Sequence, residues 1–308
     1  MSMTPSPPPL ESVIEELPQS AGAPNRAVWR SLRHNPMAVI SITVLLLILL
    51  SSIVVPMISP YNYSQQTNDV SAPPSLRHWL GTDDVGYDIA VRLAVGGRIS
   101  LFVGIGVESI CLLIGLTVGL MAGYQGKWAD TLLMRFTDMM FAFPDILLAI
   151  LIMSVVSPAY TSLVAGLGAV FATLCVTGWP GLARLVRGQT LVLKRREFVE
   201  AARAIGVPNS QIMIRHILPN LLSPIVVAAT IDIAGIIIAE ATLSFLGLGV
   251  PPPLPSWGSL IAGPLSSGYW KEYPGLILYP ALALTLTVMS FNFLGDALRE
   301  ALDPRSNS

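Results

Sequence analysis

From Ile146 to Ala183 the chain carries no charged residue. No other feature constrains the fold as much. An apolar run this long is nearly twice the roughly 20 residues a membrane-spanning helix needs. It therefore divides, and Pro158 inside "SPAYTS" marks the division, because proline ends helices and its neighbours favour turns. The spacing predicts two spans here, over 132–157 and 161–183. Four more windows have the length and polarity of spans: 37–59, which holds no charge, 100–123, 220–247 and 274–295. The whole chain fits the same class. It is 53% hydrophobic and 12% charged, against about 25% charged in soluble domains.

Six spans place both ends on one side, and basic residues choose the side. Of the 18 Lys and Arg residues, only Arg77, Arg92, Arg98 and Lys271 fall outside if the N-terminus is inside. The expectation is a multi-pass membrane protein with both termini cytoplasmic. Its parts are a disordered tail over 1–29, a first span within 30–60, an external segment over 61–99, a five-helix core over 100–300 and a short tail over 301–308. The opening residues are Pro- and Ser-rich and acidic, unlike the basic-then-apolar start of a secretory signal.

Several functions find no support. A net charge of −1 offers no electrostatic basis for a nucleic-acid partner. The sequence has no phosphate-binding loop: Gly126-Lys127 is followed by Trp128 and lacks the upstream glycine. It has neither a nucleophile elbow nor H-E-x-x-H, so no catalytic residues are expected. Cys111 and Cys175 lie in apolar runs and read as small core residues. His34, His78 and His216 are scattered and read as loop or solvated residues, so no metal site and no bound cofactor are expected.

The polar features inside the apolar windows are informative. Glu108, Asp232 and Glu240 are the acids deepest in the spans. A charge at a span's centre costs about 2.5–3.5 kcal/mol on insertion scales, so such residues face a cavity or a partner. They either line a wet pathway that tolerates cations, such as a peptide amino terminus, or hydrogen-bond neighbouring helices. The position of Glu240 favours structure. Asp138 follows Arg135 at i, i+3, the spacing of an ion pair. Gly115, Gly119 and Gly123 form a small-residue stripe suited to close helix packing.

Between spans four and five lies a polar stretch, "EFVEAARAIGVPNSQIMIRHILPN", over 197–220. Phe198, Ala201, Ala202 and Ile205 sit at i, i+3, i+4 and i+7, giving a short helix one apolar face. Gly206 suits a left-handed cap and Pro208 the start of a second helix. Ile212, Ile214 and Ile217 supply its apolar contacts, and Pro219 is expected to end it. Physical reasoning alone leaves two readings: a knob gripped by a soluble partner, or a hairpin lying on the bilayer.

This stretch resembles the E-A-A loop of ABC-importer permeases. Glu200, Ala201, Ala202, Gly206, Leu218 and Pro219 match in register, and Ile217 lies in the same closing segment; His216 stands where the general pattern has Ile. Three further segments resemble the dipeptide/oligopeptide/nickel branch: "LGTDDVGYDIAVRLAVGGRISL", with Tyr87 for the usual Arg and Val91 for the usual Ser, "EATLSFLGLGVPPPLPSWG" and "LGDALREALDPR". The resemblance covers about residues 30–305 and is greatest to the second, C-type permease subunit. It implies an all-α, six-span protein with the type I importer (MetI-like) core. It also implies a homologous permease partner, two ATPase subunits that bind the ATP, and an extracytoplasmic solute-binding protein. The hairpin would be the ATPase-coupling element. The carried solute stays open among peptides, glutathione-like compounds, chelated nickel and small glycosides. A membrane anchor that presents the hairpin without moving solute is the rival from another class.

Overall fold

The computed structural model describes residues 24–159 and 162–302. Most of them are helical. α1 spans Pro24–His34, α2 Pro36–Ile58, α3 Ile89–Gln125, α4 Lys127–Phe141, α5 Asp145–Val156 and α6 Leu163–Leu193. α7 spans Glu197–Ala204, α8 Asn209–Ile212, α9 Leu218–Phe245, α10 Trp257–Ser267 and α11 Gly275–Leu302. Among the described residues no strand forms beyond an isolated Thr82–Asp88 bridge. Among the described residues five helices are long and apolar enough to cross a membrane, with α8 and α9 counted as one, and there are six if the bent pair α4–α5 is counted as one span. This is an all-α polytopic membrane protein.

Local chemistry explains the boundaries. The Asn35 side chain accepts the Met37 and Ala38 N–H groups, with Pro36 in the first turn, so α1 and α2 part there. Asp88 caps α3 by accepting the Val91 N–H at 2.9 Å. Ser162 caps α6, and Ser256 with Ser259 forms a capping box on α10. Pro158 lies in a 3₁₀ turn, Ser157–Ala159, that ends α5 where the sequence indicates a break. Residues 1–23, most of the expected tail, lie outside the described residues, as do 303–308. Helix α1 nevertheless begins at Pro24, ahead of the expected boundary at 30.

Three expected boundaries are corrected. α3 starts at Ile89, so Arg92 and Arg98 sit on a helix and not in the 61–99 segment. Their side chains reach out of it: Arg98 donates to the Ser52 carbonyl at 2.8 Å, and Arg92 pairs with Asp83 at 3.4 Å over the Tyr87 ring. Long basic side chains let a helix extend past its last apolar turn. α6 likewise continues through Arg184 and Arg187, which pair with Asp138 at 2.6 Å and with Asp130 through two contacts of 2.5 and 2.8 Å. The Arg135–Asp138 pair is therefore replaced by one between helices. The third span is not one rod: α4 and α5 meet at 79°, where Pro144 precedes α5 and cannot donate the N–H a continuous helix would need.

The largest interface joins α3 to α6. At Gly115, Gly119 and Gly123 the α3 backbone lies directly against Leu182, Val186 and Thr190. A Cβ added at any of the three would sit 2.7 Å from the facing Cβ. The buried core continues from this seam through Val103, Val107, Met153, Val170 and Leu174. At the far end of α3, residues 59–88 fold into a cap. His78 lies in this loop segment, as one of its two expected readings has it, but is buried there. Its Nδ1 lies 2.8 Å from Asp88, its Nε2 lies 3.4 Å from Asp69, and its ring stacks on Tyr61. These partners are distant in sequence, so only the folded cap reveals the site.

The seam is directly testable. Gly119→Ala should cost about 1–3 kcal/mol, the usual range for overpacking, because the new methyl meets the Ala183 carbonyl and Val186. Gly188→Ala, whose added Cβ meets nothing within 4 Å, should be neutral or stabilising by up to about 1 kcal/mol. Thermal midpoints of the purified variants check the contrast.

Candidate functional site

The hairpin projects from the end of the bundle where α3 and α6 finish and α9 begins. Arg203 lies in the last turn of α7, and Glu197 and Glu200 lie in its first turn, both favourable to the helix dipole. Gly206 turns the chain with φ 81°, and no atom lies within 4 Å of where a Cβ would be. Pro208 precedes α8 as its N-cap. The second arm does not end at Pro219. It passes through a π turn, Met213–Ile217, in which the Leu218 N–H donates to the Met213 carbonyl five residues back. It then runs on as α9. Proline is tolerated at Pro219 because the first turn of a helix needs no N–H from it.

Of the apolar face expected on α7, only Ala202 is buried in the bundle. Val199 and Ala202 point inward with Ile212 and Ile217, against Tyr124, Val186, Leu221 and Ile225. Phe198, Ala201 and Ile205 point outward, Ile205 being 81% exposed, and Ile214 is exposed as well. Two apolar stripes one residue apart run along α7. The expected face held the outer residues Phe198, Ala201 and Ile205 together with the buried Ala202, and packing uses Ala202 with Val199. Of the residues matching the loop pattern, Glu200, Ala201, Gly206 and Pro219 are exposed, Leu218 is half-buried, and Ala202 and Ile217 are buried.

Tyr124 was not legible as a site residue, yet it fastens the hairpin. Its hydroxyl donates to Asn209 Oδ1 at 2.7 Å, and its carbonyl accepts from Lys194 Nζ. Burial and the nearby Arg203 guanidinium hold the Lys194 amine below its ordinary range. The only sequence signal is an aromatic residue two places before Gly126 at the end of a span.

The three intramembrane acids separate into two groups. Glu240 is fully buried and structural: its Oε2 accepts from Ser100 at 2.8 Å and its Oε1 from Ser244 at 2.7 Å, with Ser256 also bonded to it. It thereby joins α3, α9 and the cap of α10. Glu108 and Asp232 instead open on one cavity of about 600 Å³ between the α4–α5 bend, α6 and α9. Asp145 lines it too. Cys111 and Cys175 are buried and unlinked, and Cys111 Sγ lies 3.8 Å from the Cys175 carbonyl. Among the described residues no three His, Cys, Asp or Glu side chains are grouped to hold a metal.

Long apolar helices, an acid-lined cavity between them and an amphipathic hairpin at one end define a polytopic membrane permease subunit. The chain belongs to the family described as binding-protein-dependent transport system inner membrane component, whose model matches residues 115–308. Residues 24–74 match the N-terminal TM domain of oligopeptide transport permease C. The chain is 42% identical over 275 residues to the oligopeptide transport system permease protein OppC of Bacillus subtilis, covering 89% of this chain and 87% of that one. It is 38% identical over 308 residues to the dipeptide permease DppC of Alkalihalophilus pseudofirmus, covering 99% and 97%. It is 42% identical over 291 residues to the glutathione permease GsiD of Escherichia coli, covering 94% and 93%. An inward-facing MetNI methionine ABC transporter chain has the same fold, with a TM-score of 0.55 at 23% identity, covering 69% of this chain and 97% of that chain. The chain is thus an ABC-importer permease subunit.

Glu240→Ala should cost about 3 kcal/mol or more, because it strands buried serine hydroxyls and opens a void. Glu240→Gln, which keeps acceptor capacity and volume, should cost less. The thermal midpoints of the detergent-purified variants give the comparison.

Proposed function

We propose that this subunit pairs with a homologous permease to form the pathway of an ATP-driven importer for peptides or peptide-like solutes. Two ATPase subunits would sit against the hairpin, and a solute-binding protein would deliver cargo at the opposite end. The names of the three relatives support this class of solute. The distribution of Lys and Arg supports placing the hairpin and both termini in the cytoplasm: Arg30, Arg33, Lys194, Arg195, Arg196 and Arg203 gather at or beside that end.

The observation that carries the coupling role is the outer stripe of α7. Phe198, Ala201 and Ile205 are exposed although Val199 and Ala202 already anchor the helix. A hairpin with its inner face filled and an apolar outer face free is built to hold a second surface. Ala201 keeps that surface close, because it has no long side chain. Force on α7 reaches α9 along a continuous helical arm, and reaches α3 and α6 through Tyr124 and Val186. Coupling also requires the ATPase to grip this face differently in its two nucleotide states, since equal affinity shifts no equilibrium.

Ile205→Asp should reduce co-purified ATPase at least about tenfold, the equivalent of 1.4 kcal/mol, while the permease pair still assembles. Undiminished co-purification, with crosslinks from Ala201→Cys only to lipid, would overturn the coupling role. Gly206→Val should leave membrane insertion intact and lower ATP-driven uptake, because a β-branched residue resists a φ of 81°. Uptake by reconstituted proteoliposomes measures it.

A further inference from the structure

Glu108 is 4% exposed and its Oε1 has no hydrogen-bond partner among the described residues. A buried carboxylate oxygen with no donor is costly, and Glu108 is one of the residues, with Asp232, that line the cavity of about 600 Å³. Asp232 is exposed to that space, one turn from Ile236 and next to small Gly235 on the same wall. The other polar groups of the wall add mostly acceptors. Asp145 uses one oxygen on the Ile146 N–H, Asn292 donates one amide N–H to the Val288 carbonyl and keeps its oxygen and second N–H, and the Thr177 hydroxyl is spent on the Thr173 and Leu174 carbonyls. No Lys or Arg lines the cavity. The nearby Arg184 is committed, pairing with Asp138 at 2.6 Å and stacking on Phe141. The wall is rich in acceptors and poor in donors.

We infer that this cavity is a subsite for a primary ammonium group, the protonated amino terminus of a passing peptide, with Glu108 and Asp232 as its acceptors. The inference rests on reading the chain as a peptide pathway. An ammonium carries three donors and suits several separated acceptors, whereas a bare metal ion needs a tight ligand cage that is absent here. The volume fits a solute of a few residues and far exceeds an ion. Phe143 and Met140 close the wall beside Asp145 with apolar surface, where the first side chains of the solute would rest. The subsite need only be weak, because a tight one would hold the cargo it must release.

The test uses the complete permease–ATPase assembly in nanodiscs, without nucleotide or binding protein. Equilibrium binding of radiolabelled trialanine is compared with that of N-acetyl-trialanine. Wild type should bind the free-amine peptide about tenfold or more tighter, the range expected of a charge-assisted hydrogen bond. Glu108→Gln and Asp232→Asn should each remove most of that preference. Equal binding of both peptides by wild type, or an unchanged preference in both variants, would overturn the subsite. Should one variant fail to assemble, the other variant and the wild-type comparison still decide. The peptide-importer reading fails on a different result, the absence of ATP-driven uptake of any peptide by wild-type proteoliposomes.

Discussion

The seam between α3 and α6 holds the remaining helices in place. In lipid, apolar burial gives helices little reason to associate, so they rely on close van der Waals contact. Gly115, Gly119 and Gly123 supply that contact by bringing backbone against side chain over three successive turns. Both helices run past the hydrocarbon layer: α3 has 37 residues, about 55 Å at 1.5 Å per residue. The projecting ends carry the two functional regions. At one end α3 begins in the cap through Asp88. At the other, Tyr124 and Val186 form the floor on which the hairpin rests.

The cavity follows from a second constraint, the break at Pro144. A straight third span would lie flush against α6 and α9. With the 79° bend, Phe141, Phe143 and Pro144 line a cavity that Glu108 and Asp232 also line. The acids thus meet different fates. Glu240 faces a wall of serines and is satisfied, whereas Glu108 faces the gap. One is a rivet between helices, and the other is available to something that enters.

Much of this could be read in the sequence. Span number, the break at Pro158, the glycine stripe and the turn at Gly206 all follow from local rules about charge, proline and glycine. What escaped depends on which of two equivalent faces finds a neighbour. Along α7 the stripes 198/201/205 and 199/202 are both apolar, and only the positions of Tyr124 and Ile212 select the inner one. Arg135 was the nearer partner for Asp138 in sequence, but Arg184 reaches it across the gap between helices. Basic residues at helix ends obscured where α3 starts and α6 stops, because their side chains travel several ångströms to find water or a carbonyl. His78 could not be placed, since Asp69, Asp88 and Tyr61 converge on it only after the cap closes.

The π turn at Met213–Ile217 sets how the hairpin is joined to the fifth span. Its hydrogen bond closes over five residues where the helix on either side closes over four. One extra residue shifts one arm against the other by about 1.5 Å and rotates it by about 100°. The joint therefore fixes the rotational phase at which the hairpin meets the fifth span.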